Sequence, residues 1–146
     1  MTLYVDADGC PVVKLAVELA GKYGVDCVLL CDTAHQLQRP GARTITVSKG
    51  ADSVDFALVN LVQPGDAVVT QDYGLAAMCL SRKAIPIHQD GMIYTDENID
   101  GLLFFRAAAK KIRNAGGRLK GPPKRTKQQD QAFAAALEKL LREGGL

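Results

Sequence analysis

TLYVDADGCP (2–11) sets the fold. Thr2 to Asp6 is a short apolar run of strand-forming residues, and DADGCP then makes a polar turn. Pro11 suits the first position of a helix, where a missing N–H costs nothing. Val12, Leu15, Ala16 and Leu19 recur at helical spacing to about Lys22. A buried strand feeding a helix through a tight loop is the opening unit of a parallel α/β domain.

The pattern repeats outward from that unit. Residues 25–31 (VDCVLLC) read as a second buried strand and 43–48 (RTITVS) as a third, nearer an edge. From Ala51 to about Val62 the helical spacing runs through Val54, Ala57, Leu58 and Leu61, and Pro64-Gly65 stops it. Residues 66–71 (DAVVTQ) give a fourth strand, residues 73–82 a helix, and 84–88 (AIPIH) a fifth strand placed at an edge by Pro86. Strands that are apolar throughout and alternate with helices predict a mainly parallel sheet covered on both faces, a three-layer α/β/α domain.

GMIYT (91–95) predicts a strand stub, and Asn98 or Asp96 is expected to cap a helix running to about Ala115. GGRLKGPPKRTK (116–127) lacks apolar periodicity and reads as a basic linker or loop. Beyond it, about Gln128 to Glu143, Phe133, Leu137, Leu140 and Leu141 form a stripe that must dock on the body. The 146 residues fit one domain, 1–146, with a core of adequate size. Nothing in the patterning specifies an oligomeric state.

No apolar run approaches a membrane span, and Met1 leads straight into a strand without a basic leader, so a cytoplasmic location and no membrane partner are expected. Cys10, Cys27, Cys31 and Cys79 include no C-x-x-C pair, and neither His35 nor His88 lies beside a cysteine, which argues against zinc and for reduced thiols. The net charge of +2 divides unevenly. Residues 1–105 carry seven Lys+Arg against thirteen Asp+Glu, and residues 106–146 carry eleven against three. An acidic body with a basic C-terminal third suits an anionic ligand held at a cation-loaded site.

Acids gather where the predicted strands end. Asp6 and Asp8 are two apart and share a face if the strand stays extended. Asp72 closes the fourth strand, which a doubly wound order sets beside the first, at the crevice where such sheets bind ligands. Asp52 and Asp55 are three apart on one face of the second helix. Each also has plain structural employment: Asp72 as a helix cap, Asp8 in the turn, Asp52 at a helix N-terminus. Together they repel, and a divalent cation relieves that cost; hard oxygen donors favour Mg²⁺ or Mn²⁺.

VDADGCPV (5–12), KGADSVDFALV (49–59), GDAVVTQDYGLA (65–76), YTDENI (94–99) and GPPKRTKQQDQAFAAALEKL (121–140) together resemble the YaiI/YqxD family of bacterial proteins, which is similar to PIN-like nuclease domains. The likeness spans nearly the whole chain. It implies a PIN-like domain whose metal is held by acids after the first strand (Asp6 or Asp8), on the central helix (Asp52 or Asp55) and after the fourth strand (Asp72). The chain departs from the family at Asp8-Gly9-Cys10, where D-A-C is commoner, at Gly74, where Pro is usual, and at Gln131, where Arg is usual.

The expectation is a Mg²⁺- or Mn²⁺-dependent phosphodiesterase or ribonuclease acting on nucleic acid, RNA in particular. Asp6, Asp8, Asp55 and Asp72 are its catalytic metal ligands, with Asp52 beside them. Lys110, Lys111, Arg113, Lys120, Lys124, Arg125 and Lys127 are expected to hold substrate phosphates. Two alternatives stand. A PIN-like shell without catalysis would bind RNA or a partner through its basic tail. A haloacid-dehalogenase-like phosphatase is suggested by LYVDADG, but the chain lacks a lysine suitably placed after a later strand.

Overall fold

The computed structural model describes residues 1–32, 38–48, 53–116 and 124–144. Five strands, β1 (Thr2–Asp6), β2 (Asp26–Asp32), β3 (Arg43–Val47), β4 (Ala67–Val69) and β5 (Ile85–Ile87), form one sheet in the order β3-β2-β1-β4-β5. Every pairing between them is parallel. The chain builds outward from β1 to β3, then returns to lay β4 on the other side of β1. The reversal therefore falls between β1 and β4, as the strand-end carboxylates require.

Helices cover both faces, completing the three-layer α/β/α architecture. On one face α1 (Val13–Lys22) and α5 (Lys127–Gly144) bury Leu3, Val5, Leu29 and Val69 against Ala16, Phe133, Leu137 and Leu141. On the other, α2 (Ser53–Leu61) and α3 (Tyr73–Ser81) cover Tyr4, Val28, Leu30 and Val68 with Leu58, Leu75 and Cys79. The alternation along β1 follows from the strand period of two. Burial of these side chains, at about 25 cal/mol per Å² of apolar surface, is the main stabilising term. The C-terminal helix is docked as its apolar stripe demands, and Lys22 and Tyr23 both donate to Glu138 at its rim.

Helix α4 (Asp96–Asn114) stands apart from the sheet, packing on α3 through Ile99, Leu102 and Leu103. Its cap is Thr95 rather than Asn98 or Asp96. The Thr95 hydroxyl accepts from the Asn98 amide while the Asn98 side chain accepts from the Thr95 amide, a reciprocal box that satisfies two donors at once. Two further boundaries differ from expectation. α1 starts at Val13, so Pro11 lies in the turn before it. β4 ends at Val69; the Thr70 amide still donates to the Ile87 carbonyl, while its hydroxyl turns to Asp6. The strand stub is a single antiparallel bridge between Ile87 and Ile93.

All four cysteines are free, and Cys27, Cys31 and Cys79 are buried. Among the described residues no helix is long and apolar enough to cross a membrane. Of the linker, residues 117–123 lie outside the described residues, as do Asp52, Lys120 and His35.

Candidate functional site

Asp6 is the last residue of β1, in register with Leu30. Backbone pairing continues one step further, the Ala7 amide donating to the Leu30 carbonyl at 2.9 Å. The extension therefore persists into the loop, and Asp8 draws level with Asp32 at the end of β2. Its Oδ2 accepts from the Asp32 amide at 3.2 Å. Asp72 caps α3, its Oδ1 accepting from the Leu75 amide at 3.1 Å. Asp55 lies in the first turn of α2.

These four carboxylates line a single cavity of about 550 Å³, together with Asp32, Val54, Gln71, Tyr73 and Arg106. Thr70, 2% exposed, ties the two halves of the site together. Its hydroxyl donates to Asp6 Oδ2 at 2.9 Å and accepts from the Asp72 amide at 3.0 Å. Its own position is fixed from behind, where its amide donates to the Ile87 carbonyl and its carbonyl accepts from the Tyr94 hydroxyl.

The electrostatics reflect this crowding. Burial, above all, pushes the Asp6 carboxyl up to about 6. The Thr70 hydrogen bond pulls it down, and the Asp72 and Asp8 carboxylates push it further up. Arg106 of α4 offsets part of the negative charge, reaching across α3 to Asp72 Oδ1 at 3.5 Å. A methyl group at Gly74 would lie 3.2 Å from that guanidinium and 3.3 Å from the Asp72 oxygen, so glycine gives the pair its room.

The donor set fits a hard divalent cation. Carboxylates line the cavity, with neither histidine nor cysteine among the described residues. Asp6 and Asp72 each have one oxygen without a hydrogen bond among the described residues. As they stand, no three His, Cys, Asp or Glu side chains among the described residues are grouped closely enough to hold an ion. Cys10, beside the loop, is kept a neutral thiol, its value pushed up to about 11 chiefly by burial.

Three participants escaped the sequence reading. Asp32 closes β2 as Asp6 closes β1, a signal hidden by ending that strand at Cys31. Thr70 reads as an ordinary strand residue. Arg106 opens a basic row on α4, with Lys110 and Arg113 at helical spacing on the same side. Lys111, one residue and roughly 100° on from Lys110, faces away from that row.

Arg125 corrects an expectation. Its three guanidinium nitrogens donate, each at 2.7 Å, to Asp130, Asp90 and the Gln89 carbonyl. That clamp joins the start of α5 to the turn after β5, and takes Arg125 out of the phosphate-binding set. Lys124 is exposed, while Lys127 is the first residue of α5.

A parallel α/β/α domain with a carboxylate-lined crevice at its strand reversal is the class that fold and site define. The chain belongs to the uncharacterised YaiI/YqxD family, whose profile matches residues 4–143. It is similar to a UPF0178 protein of Exiguobacterium sibiricum, 55% identical over 143 residues and 98% of each chain. A UPF0178 protein of Clostridium acetobutylicum is 47% identical over 146 residues and 99% of each chain. One from Ruminiclostridium cellulolyticum is 50% identical over 137 residues, 94% of this chain and 90% of its own. No solved structure matches the chain.

Proposed function

We propose that the cavity holds Mg²⁺ or Mn²⁺ and hydrolyses phosphodiesters in nucleic acid, RNA in particular, as a PIN-like nuclease. The observation that carries this reading is the meeting of Asp6, Asp8, Asp32, Asp55 and Asp72 in one crevice. Five carboxylates from four parts of the chain meet there, and the Asp72 and Asp8 charges bear on the buried Asp6 carboxyl, a cost that cation binding relieves. Asp6, Asp8, Asp55 and Asp72 are the proposed ligands. When bound, the ion supplies an activated water and counter-charge for the leaving oxygen.

The chain's own groups divide the remaining work. Arg106, at the rim, moves from Asp72 to a substrate phosphate, with Lys110 and Arg113 continuing the track along α4. Phe56, 62% exposed, lines an adjoining cleft that shares Asp55, Asp72 and Arg106 with the main cavity. An open aromatic face beside a guanidinium suits stacking of an unpaired base. This favours a single-stranded substrate.

A phosphatase of the haloacid-dehalogenase kind is the weaker reading, because among the described residues no lysine lines the cavity. The non-catalytic reading draws on the hydrogen bonds that already engage Asp6, Asp8 and Asp72. Calorimetric titration with Mn²⁺, paired with cleavage assays on single-stranded RNA and on a phosphate monoester, separates the three. Mn²⁺ binding with oligonucleotide cleavage, both lost in Asp6→Asn, is expected. Monoester hydrolysis alone selects the phosphatase, and RNA binding without Mn²⁺ binding selects the non-catalytic domain.

A further inference from the structure

Helix α4 is apolar on two opposite sides. One side, carrying Ile99, Leu102 and Leu103, packs on α3. On the other lie Gly101, Phe105, Ala108, Ile112 and Ala115, spaced four, three, four and three residues apart, with Phe104 beside them. That spacing is the seam of a two-helix contact. Here the seam is open: Phe104 is 77% exposed, Phe105 70% and Ile112 47%. From Phe104 to Gly116 only Ala109 is even partly covered. A contiguous apolar strip of this kind on an otherwise charged helix marks an interaction surface.

We propose that a second copy of this chain docks there, the two α4 helices lying antiparallel about a two-fold axis near Arg106 and Ala107. The seam is self-complementary in that arrangement. Each Phe105 fills the notch over the partner's Ala108, and each Ile112 fills the notch over the partner's Gly101. A Cβ added at Gly101 would meet nothing within 4 Å, so the space over it is free for a partner.

Charge fits the same register. Asp100 and Lys111 lie on one flank of the seam, near opposite ends of the helix. Antiparallel pairing brings each Asp100 to the partner's Lys111, twice by symmetry. Parallel pairing would instead set like charges level. This explains why Lys111 faces away from Arg106, Lys110 and Arg113. The surface is independent of the chemistry proposed for the cavity, which opens on the other side of α4.

Sedimentation equilibrium of the full chain tests the proposal. The wild type is expected at twice its 15.6 kDa chain mass at micromolar concentration. Ala108→Glu buries a carboxylate against the partner's Phe105 and should weaken the dimer by about 100-fold or more. Asp100→Lys and Lys111→Asp should each weaken it about tenfold, and the double reversal should restore it. Since these positions are open in one copy, thermal melts of the dissociated variants should match the wild-type monomer. A wild type that stays monomeric to about 100 μM, weaker than specific dimers bind, overturns the proposal. So does an Ala108→Glu variant of unchanged mass, and single reversals without effect overturn the register.

Discussion

The Thr70 hydroxyl donates a 2.9 Å hydrogen bond to Asp6, joining residues 64 apart in sequence at the point where β1 and β4 end. Because the same oxygen accepts from the Asp72 amide, one buried side chain sets the spacing of two carboxylates. Thr70→Val keeps the shape and removes the hydroxyl. We expect a loss of about 1–2 kcal/mol in chelator, the scale of an orphaned buried partner. Mn²⁺ affinity should fall as well. Denaturant melts and calorimetry on the same preparation check both, and an unchanged Mn²⁺ affinity would confine Thr70 to a structural role.

Asp6 gives a pH signature whose sign is fixed by its raised value. Its carboxyl titrates near 3.8 when unfolded and about 6 when folded, so the folded state holds the proton more tightly. In chelator its contribution favours folding at low pH and is lost as the pH rises from about 4 to 6. The full change is at most about 3 kcal/mol, and less to the extent that water reaches the carboxylate. Asp6→Asn cannot titrate. Relative to wild type it should gain stability as pH rises across that window, and lose the advantage in saturating Mn²⁺. Melts of both proteins at pH 4, 5, 6 and 7 measure the difference; parallel curves would mean that Asp6 is not under electrostatic strain.

Metal should act on the fold by mass action. At a hundred times its dissociation constant, Mn²⁺ adds about 2.7 kcal/mol, which for a chain of this size raises Tm by about 5–10 °C. Asp72→Asn is the informative variant. Asparagine caps a helix as well as aspartate, so α3 keeps its start while the site loses a charge. Most of the Mn²⁺-dependent rise should vanish with little change in chelator. An equal rise in mutant and wild type removes Asp72 from the proposed ligands.

What the sequence disclosed about this site depends on how local each signal is. Asp6, Asp8 and Asp72 could be placed because they sit at the ends of recognisable strands, and Asp55 because helical spacing identifies its turn. The sheet order followed from apolar strands alternating with helices, since only one side of β1 remained for β4. Partners set by distant register were hidden. Asp32 meets Asp8 through the β1–β2 pairing, and Arg106 meets Asp72 across α3, 34 residues away. Arg125 misled for the same reason: in a run of lysines it reads as a solvated cation, yet its acceptors at Gln89 and Asp90 lie 36 and 35 residues back.

That clamp has its own consequence. Arg125→Ala strands the Asp90 carboxylate and the Gln89 carbonyl and frees the start of α5, so a loss of about 2–3 kcal/mol is expected. Lys124→Ala, an exposed neighbour, should change stability by less than about 0.5 kcal/mol. Urea melts distinguish them. Equal and small effects would return Arg125 to the candidate phosphate ligands.

The basic row on α4 tests the substrate. Arg106 is 55% exposed and its carboxylate partner 34%, at 3.5 Å, so their ion pair adds little to the fold. Arg106→Gln should therefore cost no more than about 0.5 kcal/mol, and Lys110→Ala and Arg113→Ala similarly little. Their effect on RNA should be much larger if they hold phosphates. Each contact with a single strand releases counterions, contributing about −0.7 to the slope of log K against log salt. The triple variant should bind single-stranded RNA more weakly and flatten that slope by about 2. Lys111→Ala, on the opposite side of the helix, should leave the slope unchanged. Phe56→Ala makes a further distinction, because loss of a stacking face lowers affinity at every salt concentration without altering the slope. Fluorescence anisotropy with a labelled oligonucleotide across 50–300 mM salt, roughly the range over which the polyelectrolyte term is steep, reads all six variants. An unchanged slope in the triple variant would detach α4 from the substrate track and leave the cavity to a ligand that is not a nucleic acid.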